Sequence, residues 1–321
     1  MPDGLAALER LGLHLPAGQA FPFRGIRFVS YESSADAHFP SGGVGLAARR
    51  PILHRVMTER AAQVGAEFLW GAAVTGISAH GVRVGNDLIR ARWIIGADGS
   101  NSRVRRWAGL DRSYRPRLRY AFRQHYRVAP WTDHMEVHWG AHCQGYATAV
   151  GDEQVCVALV SHDSSLRLED GLKELPHLRK RLLGAETSSA ERGAVTGNRR
   201  LKRVWRGNVA LIGDAAGTVD AITGEGMGLA FSQAVVLAAC MESGSLEPYQ
   251  AEHRRLALRP LLMARLMLML DGRPRLQHRT LQAFRKRPEI FRRLLALHVG
   301  ALPPRELVWD SLTLGWGLIT T

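Results

Sequence analysis

Apolar residues recur at helical spacing near the start of the chain and again over residues 50–65. Leu5, Leu8 and Leu11 share one face of a predicted N-terminal helix, and Gly12 follows its last turn. Between the two helices, short alternating runs predict a β-hairpin over residues 21–40. After the second helix, short runs separated by turn residues predict strands at 67–70, 74–78, 82–84 and 88–92.

Two later runs lack this alternation. Residues 93–96 and 208–212 are almost wholly apolar, which is typical of strands buried on both faces of a sheet. Between them, alternating stretches over residues 111–200 predict an antiparallel sheet. A long apolar helix is predicted from Gly226 to Met241, and the chain beyond it is predicted to be helical.

The predicted fold is therefore α/β (α+β overall), because α/β segments flank the antiparallel sheet. It consists of a discontinuous Rossmann-like domain, a sheet domain that interrupts it and a C-terminal helical region. The Rossmann-like domain is predicted to comprise residues 1–20, 44–110 and 201–245. The sheet domain is predicted at 21–43 and 111–200, and the helical region at 246–321.

The composition is that of a globular protein with a sizeable core. The 321 residues are 46% apolar and 22% charged, which excludes a disordered, collagen-like or coiled-coil chain. The longest apolar run, at 261–270, contains Arg265 and is about half as long as a membrane-spanning helix. The start does not resemble a signal peptide and the three cysteines are isolated, so we predict a cytoplasmic protein without a metal site.

The net charge of +14 comes almost entirely from arginine, which is typical of proteins from GC-rich genomes. No helix-turn-helix, zinc-finger or RNA-binding motif accompanies it, so we predict no nucleic-acid partner. A basic nucleic-acid-binding protein is kept as a minor alternative. Basic residues concentrate in residues 252–293, among Leu, Met and Phe. This pattern indicates either a solvated helix face or peripheral contact with an anionic membrane.

The first motif that carries chemistry is Asp98-Gly99, which follows the buried strand at 93–96. Open α/β sheets bind ligands at the carboxyl ends of their strands. Gly99 permits a tight turn, and Ser102 is predicted to cap the helix that follows. The alternative is a plain strand–turn–helix connection in which Asp98 only stabilises the turn.

The second motif is Gly213-Asp214, at the end of the other buried strand, followed by Thr-Gly-Glu-Gly-Met at 223–227. A carboxylate in this place can accept hydrogen bonds from ribose hydroxyls, and Gly224 and Gly226 let the backbone approach a ligand. The helix that starts at Gly226 offers free N–H groups and its positive dipole end to a pyrophosphate. The alternative is a glycine-rich loop before a core helix.

Together, the two motifs resemble the FAD-dependent oxidoreductases of the p-hydroxybenzoate hydroxylase fold, which include aromatic-ring monooxygenases and geranylgeranyl reductases. The resemblance covers essentially the whole chain. Thr-Gly-Glu-Gly favours the geranylgeranyl-reductase-like branch, whereas Ala221 stands where much of that branch has Pro. The resemblance implies FAD as cofactor, NAD(P)H as transient donor and an apolar or aromatic small-molecule substrate.

The resemblance also implies site residues. Asp214 corresponds to the ribose ligand, Met227 lies along the flavin, and Val74 meets the adenine. No catalytic residue is assigned, because the flavin itself carries the redox step in such enzymes. Aromatic residues of the sheet domain are candidates either for covering flavin and substrate or for ordinary packing: Tyr126, Trp131, Trp139 and Tyr146. The implied cofactor-binding residues are Arg50, Val74, Asp98, Gly99, Gly213, Asp214, Gly224, Gly226 and Met227.

The family opens with a strand, a G-x-G-x-x-G turn and a helix, and the given sequence has no counterpart of them. We therefore expect the chain as given to bind FAD weakly or not at all. Two hypotheses remain: an FAD-dependent monooxygenase or reductase, and a non-catalytic truncated remnant, or mis-called start, of such an enzyme.

Overall fold

The computed structural model describes residues 1–31, 33–111 and 118–303. The helices are α1 (Pro2–Arg10), α2 (Arg50–Gln63), α3 (Arg103–Trp107), α4 (Leu168–Gly171), α5 (Pro176–Arg181), α6 (Gly226–Glu242), α7 (Tyr249–Leu270), α8 (Pro274–Lys286) and α9 (Pro288–His298). The strands are β1 (Ala20–Phe23), β2 (Gly25–Val29), β3 (Ser34–His38), β4 (Gly45–Ala48), β5 (Val74–Ser78), β6 (Gly81–Val84), β7 (Asp87–Arg90), β8 (Ile94–Gly96), β9 (Arg119–Arg127), β10 (His134–Trp139), β11 (Cys143–Gly151), β12 (Gln154–Ser161), β13 (Glu186–Thr187), β14 (Arg192–Thr196), β15 (Arg199–Arg200), β16 (Trp205–Arg206), β17 (Val209–Leu211) and β18 (Gly217–Thr218).

A large sheet of eight strands dominates the molecule, in the order β13-β9-β12-β11-β10-β2-β3, with β14 also paired to β9. Only β2 and β10 run parallel to each other; the other pairs are antiparallel. The hairpin predicted at 21–40 is formed by β2 and β3, but β1 pairs with β4 instead. Successive side chains of a strand point to opposite faces, and apolar residues at both sets of positions give each face of this sheet its own apolar layer.

Each face of the large sheet is covered by helices. On one face, Phe28 and Trp139 pack with Phe284 and Phe291 of α8 and α9. On the other face, apolar residues of β11 and β12 pack beneath α4 and α5, with Leu159 only 1% exposed. A sheet covered on both faces gives the molecule two separate apolar layers.

A smaller sheet, in the order β16-β17-β8, holds the two buried strands predicted from the sequence, and β8 and β17 run parallel. The prediction of a strand at 67–70 is wrong, because these residues form no strand. A strand needs a hydrogen-bonding neighbour, and no strand among the described residues pairs with this segment. Its apolar side chains lie open to solvent, with Leu69 65% and Trp70 68% exposed.

The C-terminal helices α7, α8 and α9 pack against one face of the large sheet. Within the described ranges, no helix is long and apolar enough to span a bilayer. The end of the predicted helical region, residues 304–321, lies outside the described residues, as do residues 112–117 of the predicted sheet domain.

Candidate functional site

The two acid–glycine motifs leave the same edge of the small sheet. In the parallel pair β8 and β17, Ile94 lies opposite Val209 and Gly96 opposite Leu211. The N–H of Ile212 extends this register by donating to the carbonyl of Gly96 at 3.0 Å. Asp98-Gly99 and Gly213-Asp214 therefore emerge side by side, at the carboxyl ends of adjacent parallel strands. This edge is where open α/β sheets bind ligands.

Arg105 ties the two motifs together. Its side chain is 1% exposed and donates to the carbonyl of Ser100 at 2.7 Å and to that of Ala215 at 3.1 Å. A third contact joins its Nε to Asp111 Oδ1 at 3.2 Å. One buried guanidinium thus connects the turn after β8 to the turn after β17. No local sequence pattern predicts this role of Arg105.

Asp98 uses its carboxylate to hold its own turn. It accepts from Ser102 Oγ at 2.5 Å, from the N–H of Arg103 at 2.7 Å and from that of Val104 at 3.1 Å. Ser102 in turn caps α3 by accepting from the N–H of Arg105, as predicted. Burial favours the neutral acid, but these hydrogen bonds together hold the pKa of Asp98 below its usual value. The geometry favours the turn-stabilising alternative for this side chain.

Asp214 contrasts with Asp98, because its carboxylate is exposed and has no hydrogen-bond or ion-pair partner among the described residues. Its neighbour Gly213 has φ +58°, a left-handed conformation that favours glycine, and the Gly213 N–H donates to Gln233 Oε1 at 2.7 Å. Partial burial raises the pKa of Asp214, and the guanidinium of Arg50 opposes this shift. Arg50 and Asp214, two predicted site residues, therefore lie within electrostatic range of each other.

The loop that carries Gly224 is held by hydrogen bonds on its N-terminal side. Asp220 accepts from the N–H of Ile222 at 3.0 Å and from buried Arg119 at 3.0 Å. Tyr146 donates its hydroxyl proton to the carbonyl of Ile222 at 3.0 Å. Gly224 then adopts φ +67°, again a left-handed conformation that favours glycine. The loop is therefore held rigidly against the large sheet.

Helix α6 begins directly after this loop at Gly226, and no side chain caps its N-terminus. Met227 is 38% exposed, and a side chain built at Gly226 would meet open space. The first N–H groups of a helix lack partners inside it, and its dipole makes this end positive. The start of α6 can therefore accept an anionic group.

An apolar cavity of about 340 Å³ lies between the large sheet and helices α7, α8 and α9. Ile222 and Thr223 close one side of it, so the cavity borders the loop that leads into α6. No lysine or arginine is among its lining residues, which are Ile26, Phe28, Met135, Val137, Trp139, Ile222, Thr223, Met263, Leu266, Met267, Met269, Leu270, Leu276, Thr280, Phe284, Phe291, Leu294, Leu295 and His298.

Behind Thr223 and His298 lies a buried group of charged residues. Glu225 is 5% exposed, with its Oε2 3.6 Å from His298 Nδ1 and its Oε1 3.8 Å from Arg259 Nε. Arg259 also pairs with Asp3 of α1. Burial raises the pKa of Glu225 to about 8, with Arg259 opposing, and burial lowers the pKa of His298 to about 4. Burial therefore favours the uncharged form of both side chains.

The predicted site residues fall into two groups. The residues of both motifs lie along one path, from the edge of the small sheet to the start of α6, and Arg50 joins them at Asp214. Val74 stands apart, as the first residue of β5 in the separate sheet β5-β6-β7. The cofactor-binding roles of all nine residues stay predictions.

The four aromatic candidates lie on opposite faces of the large sheet. Trp139 lines the cavity and Tyr146 holds its loop, whereas Tyr126 and Trp131 pack on the opposite face of the sheet, beside α4 and α5. Sequence reasoning missed His298, which lies just beyond the basic segment 252–293 and has no local motif around it. Only the packing of α9 against the sheet brings it to the cavity.

The chain is similar in sequence to digeranylgeranylglycerophospholipid reductases. It is 40% identical over 86 residues to the reductase of Methanosarcina acetivorans, which covers 24% of this chain and 21% of that protein. It is 26% identical over 246 residues to digeranylgeranylglycerophospholipid reductase 1 of Methanothermobacter thermautotrophicus, which covers 70% of this chain and 62% of that protein. The chain thus matches less than two thirds of the length of either relative. No family model matches it.

Solved structures share its fold. PqsL, described as a probable FAD-dependent monooxygenase from Pseudomonas aeruginosa, superposes with a TM-score of 0.68 at 22% identity, covering 85% of each chain. The flavin-dependent brominase Bmp2 superposes with a TM-score of 0.76 at 16% identity, covering 94% of this chain and 82% of that one. The predicted fold class is confirmed, and so is the predicted resemblance to FAD-dependent oxidoreductases with a geranylgeranyl-reductase-like sequence.

Proposed function

We propose that this protein is an FAD-dependent oxidoreductase that acts, as a monooxygenase or a reductase, on an apolar or aromatic small molecule, with NAD(P)H as donor. One observation carries the proposal. The apolar cavity ends on Ile222 and Thr223, and the same loop continues through Gly224 into the uncapped start of α6. A single loop therefore separates a place for an apolar substrate from a place for an anionic cofactor.

The residues at the sheet edge fit a dinucleotide. Asp214 offers an exposed carboxylate without a described partner, which would accept hydrogen bonds from ribose hydroxyls. The free N–H groups of α6, a helix of 17 residues, would bind the pyrophosphate, and Arg50 would add positive charge beside it. Open space at Gly226 leaves room for close approach of a ring.

When bound, FAD would supply the electron transfer, and the protein would supply binding, orientation and a dry environment. The lining of Met, Leu and Phe side chains excludes water from the substrate and gives it no charged partner. The clamp of Asp220, Arg119 and Tyr146 on the loop fixes the distance between the cavity and α6. Small misplacements of reacting groups are costly, so this rigidity matters for rate.

The names of the relatives support both reaction types. The sequence relatives are named reductases, and the structural neighbours include a probable monooxygenase and a brominase. Turnover under nitrogen separates the two, because a monooxygenase consumes O₂ and a reductase does not.

The decisive measurement is a titration with FAD, followed by flavin absorbance after dialysis. The matched variants are Asp214→Ala and, as control, Asp152→Ala, an exposed aspartate in the turn between β11 and β12. We expect Asp214→Ala to weaken FAD binding about tenfold or more, because a hydrogen bond to a charged group is lost, and Asp152→Ala to leave it unchanged. Equal binding by both variants would contradict the assigned role of Asp214. The titration also measures the weak binding expected from the sequence.

The alternative is a non-catalytic relative of such enzymes. The exposed side chains of Leu69 and Trp70 favour it, because an intact enzyme would be expected to cover such large apolar groups. A protein with native circular dichroism that binds no FAD at any concentration supports this alternative.

We further propose peripheral contact with anionic membranes through α8. Its apolar face, including Leu281 and Phe284, is buried against the sheet, while Arg275, Arg279 and Arg285 are exposed. Contact would therefore be electrostatic and weaken with salt. We expect co-sedimentation with phosphatidylserine vesicles at low ionic strength and its loss at high ionic strength. No binding at low ionic strength would contradict the proposal.

A further inference from the structure

A second cleft, of about 90 Å³, lies on the other side of α7 from the apolar cavity. Met263, Leu266 and Met267 of α7 line the cavity, whereas Leu258 and Leu261 line the cleft. At 3.6 residues per turn, these two sets lie on opposite sides of the helix. Since one water molecule needs about 10–15 Å³, the cleft has room for a small organic group.

Acidic residues do not balance the positive charge of this cleft. Four arginines are among its lining residues, and no aspartate or glutamate is. Arg199 pairs with Asp111 at 2.8 Å, and Arg254 donates to a backbone carbonyl at 3.3 Å. The other two, Arg200 and Arg265, are exposed and have no hydrogen-bond or ion-pair partner among the described residues. A cleft lined by charges of one sign concentrates ions of the opposite sign.

The segment that carries Arg200 runs alongside α7 in the opposite direction. The N–H of Val204 donates to Gln250 Oε1 at 3.1 Å, and Arg254 donates to the carbonyl of Lys202 at 3.3 Å. Two residues of extended chain and four residues of helix both advance by about 6–7 Å. Two residues further back along the segment, this course brings Arg200 beside the helical turn that follows Arg254.

Arg265 leans toward the same place from the other end of the cleft. It lies about two turns beyond Leu258, and helical side chains lean toward the N-terminus of their helix. Leu258, which is 50% exposed, and Leu261 lie between the two arginines. An anion between Arg200 and Arg265 would therefore have an apolar surface beside it.

We infer that this cleft binds a small organic oxyanion, a carboxylate or phosphate on a short apolar chain, and that Arg200 and Arg265 bind the oxyanion. A guanidinium forms paired, charge-assisted hydrogen bonds with either group, and the leucines cover the chain. The cleft is separate from the apolar cavity and from the edge of the small sheet. The inference therefore goes beyond the proposed function and does not rest on it.

The test is a ligand-observed NMR titration of the full chain at neutral pH with four probes: hexanoate, hexyl phosphate, acetate and hexanol. We expect the hexyl anions to bind about tenfold or more tightly than acetate, which lacks the chain, and than hexanol, which lacks the charge. The tighter of the two hexyl anions identifies the head group. Arg200→Gln and Arg265→Gln should each weaken both hexyl anions about tenfold, because hydrogen bonds to a charged group are lost.

The matched control is Arg203→Gln, which removes the same charge from an exposed position outside the cleft and should leave binding unchanged. Leu258→Ser should reduce the advantage of hexanoate over acetate, and Leu183→Ser, at 85% exposure outside the cleft, should keep it. Far-UV circular dichroism verifies that each variant folds. The inference is overturned if neither hexyl anion binds, if hexanol binds as tightly as hexanoate, or if Arg203→Gln weakens binding as much as the two cleft variants.

Discussion

The large sheet and the small sheet are held together in different ways. Strands β9, β11 and β12 of the large sheet are eight or nine residues long, and helices cover both faces. In the small sheet, β8 and β17 are three residues long and leave the polar turns of both motifs at their ends. The large sheet thus has an apolar layer on each face, whereas the small sheet packs into a single apolar cluster with α6 and α7 and relies in addition on a few side chains that bind its backbone.

Those few side chains are identifiable. Arg105 joins the two turns, Gln233 accepts from the N–H of Gly213, and Tyr249 donates to the carbonyl of Leu211 at 2.8 Å. Each satisfies a backbone group that a longer sheet would pair with another strand. The geometry of these turns is therefore well defined, but their stability should depend strongly on single polar side chains. The stability of the large sheet should depend mainly on its apolar side chains.

The largest effect should follow from Arg105→Ala. The substitution leaves the carbonyls of Ser100 and Ala215 without their donor and removes one partner of Asp111. We expect a loss of about 3–5 kcal/mol in the free energy of unfolding, measured by urea denaturation. Arg105→Lys keeps the charge but offers fewer hydrogen-bond donors, so its free energy of unfolding should lie between those of the parent protein and Arg105→Ala. An unchanged urea midpoint in Arg105→Ala would show that the turns do not depend on this bridge.

The next prediction compares the same substitution, Leu→Ala, at a buried and at an exposed position. Leu159→Ala, in β12 at 1% exposure, should cost about 2–5 kcal/mol, because it opens a cavity in the apolar layer. Leu69→Ala, at 65% exposure in the segment between α2 and β5, should change stability by about 0.5 kcal/mol or less. Urea denaturation of both variants measures the difference. A large loss in Leu69→Ala would mean that the segment is covered in solution.

The same contrast explains what the sequence could predict. Elements with a clear period were found: β5, β6, α2 and α6 all form near their predicted bounds. The Ser102 cap was also predictable, because it depends on neighbours within three residues. Local rules sufficed wherever the partner of a residue lay close by in the chain.

Prediction failed where the partner was distant or missing. The segment at 67–70 has strand-like composition, yet it pairs with no described strand, and composition does not supply a neighbour. The contact between His298 and Glu225 joins α9 to the loop before α6, across a long stretch of chain. Such a contact follows only from the packing of helices on the large sheet, which no single-sequence pattern specifies.

A smaller effect is expected for Tyr249→Phe. This substitution keeps the ring in place and removes only the hydroxyl that donates to the carbonyl of Leu211. Since the carbonyl is then buried without a partner, we expect a loss of about 1–2 kcal/mol in urea denaturation. Tyr120→Phe, on the large sheet and half-buried, is the control and should cost less. Equal losses at both positions would remove the distinction between the two sheets at polar positions.

The smallest effect concerns Asp98 and its dependence on pH. Asp98→Asn should cost about 1 kcal/mol at neutral pH, because the charged acceptor of three hydrogen bonds becomes a neutral one. The folded-state pKa of Asp98 lies below its usual value of 3.8, so this stabilisation is fully present above pH 3.8 and is lost as pH falls through the folded-state pKa. The stability curves of the parent and Asp98→Asn should therefore run apart near neutral pH and converge in acid. Asp152→Asn, without such bonds among the described residues, should follow the parent throughout. A gap between the parent and Asp98→Asn that stays constant into acid would show that charge on Asp98 does not hold this turn.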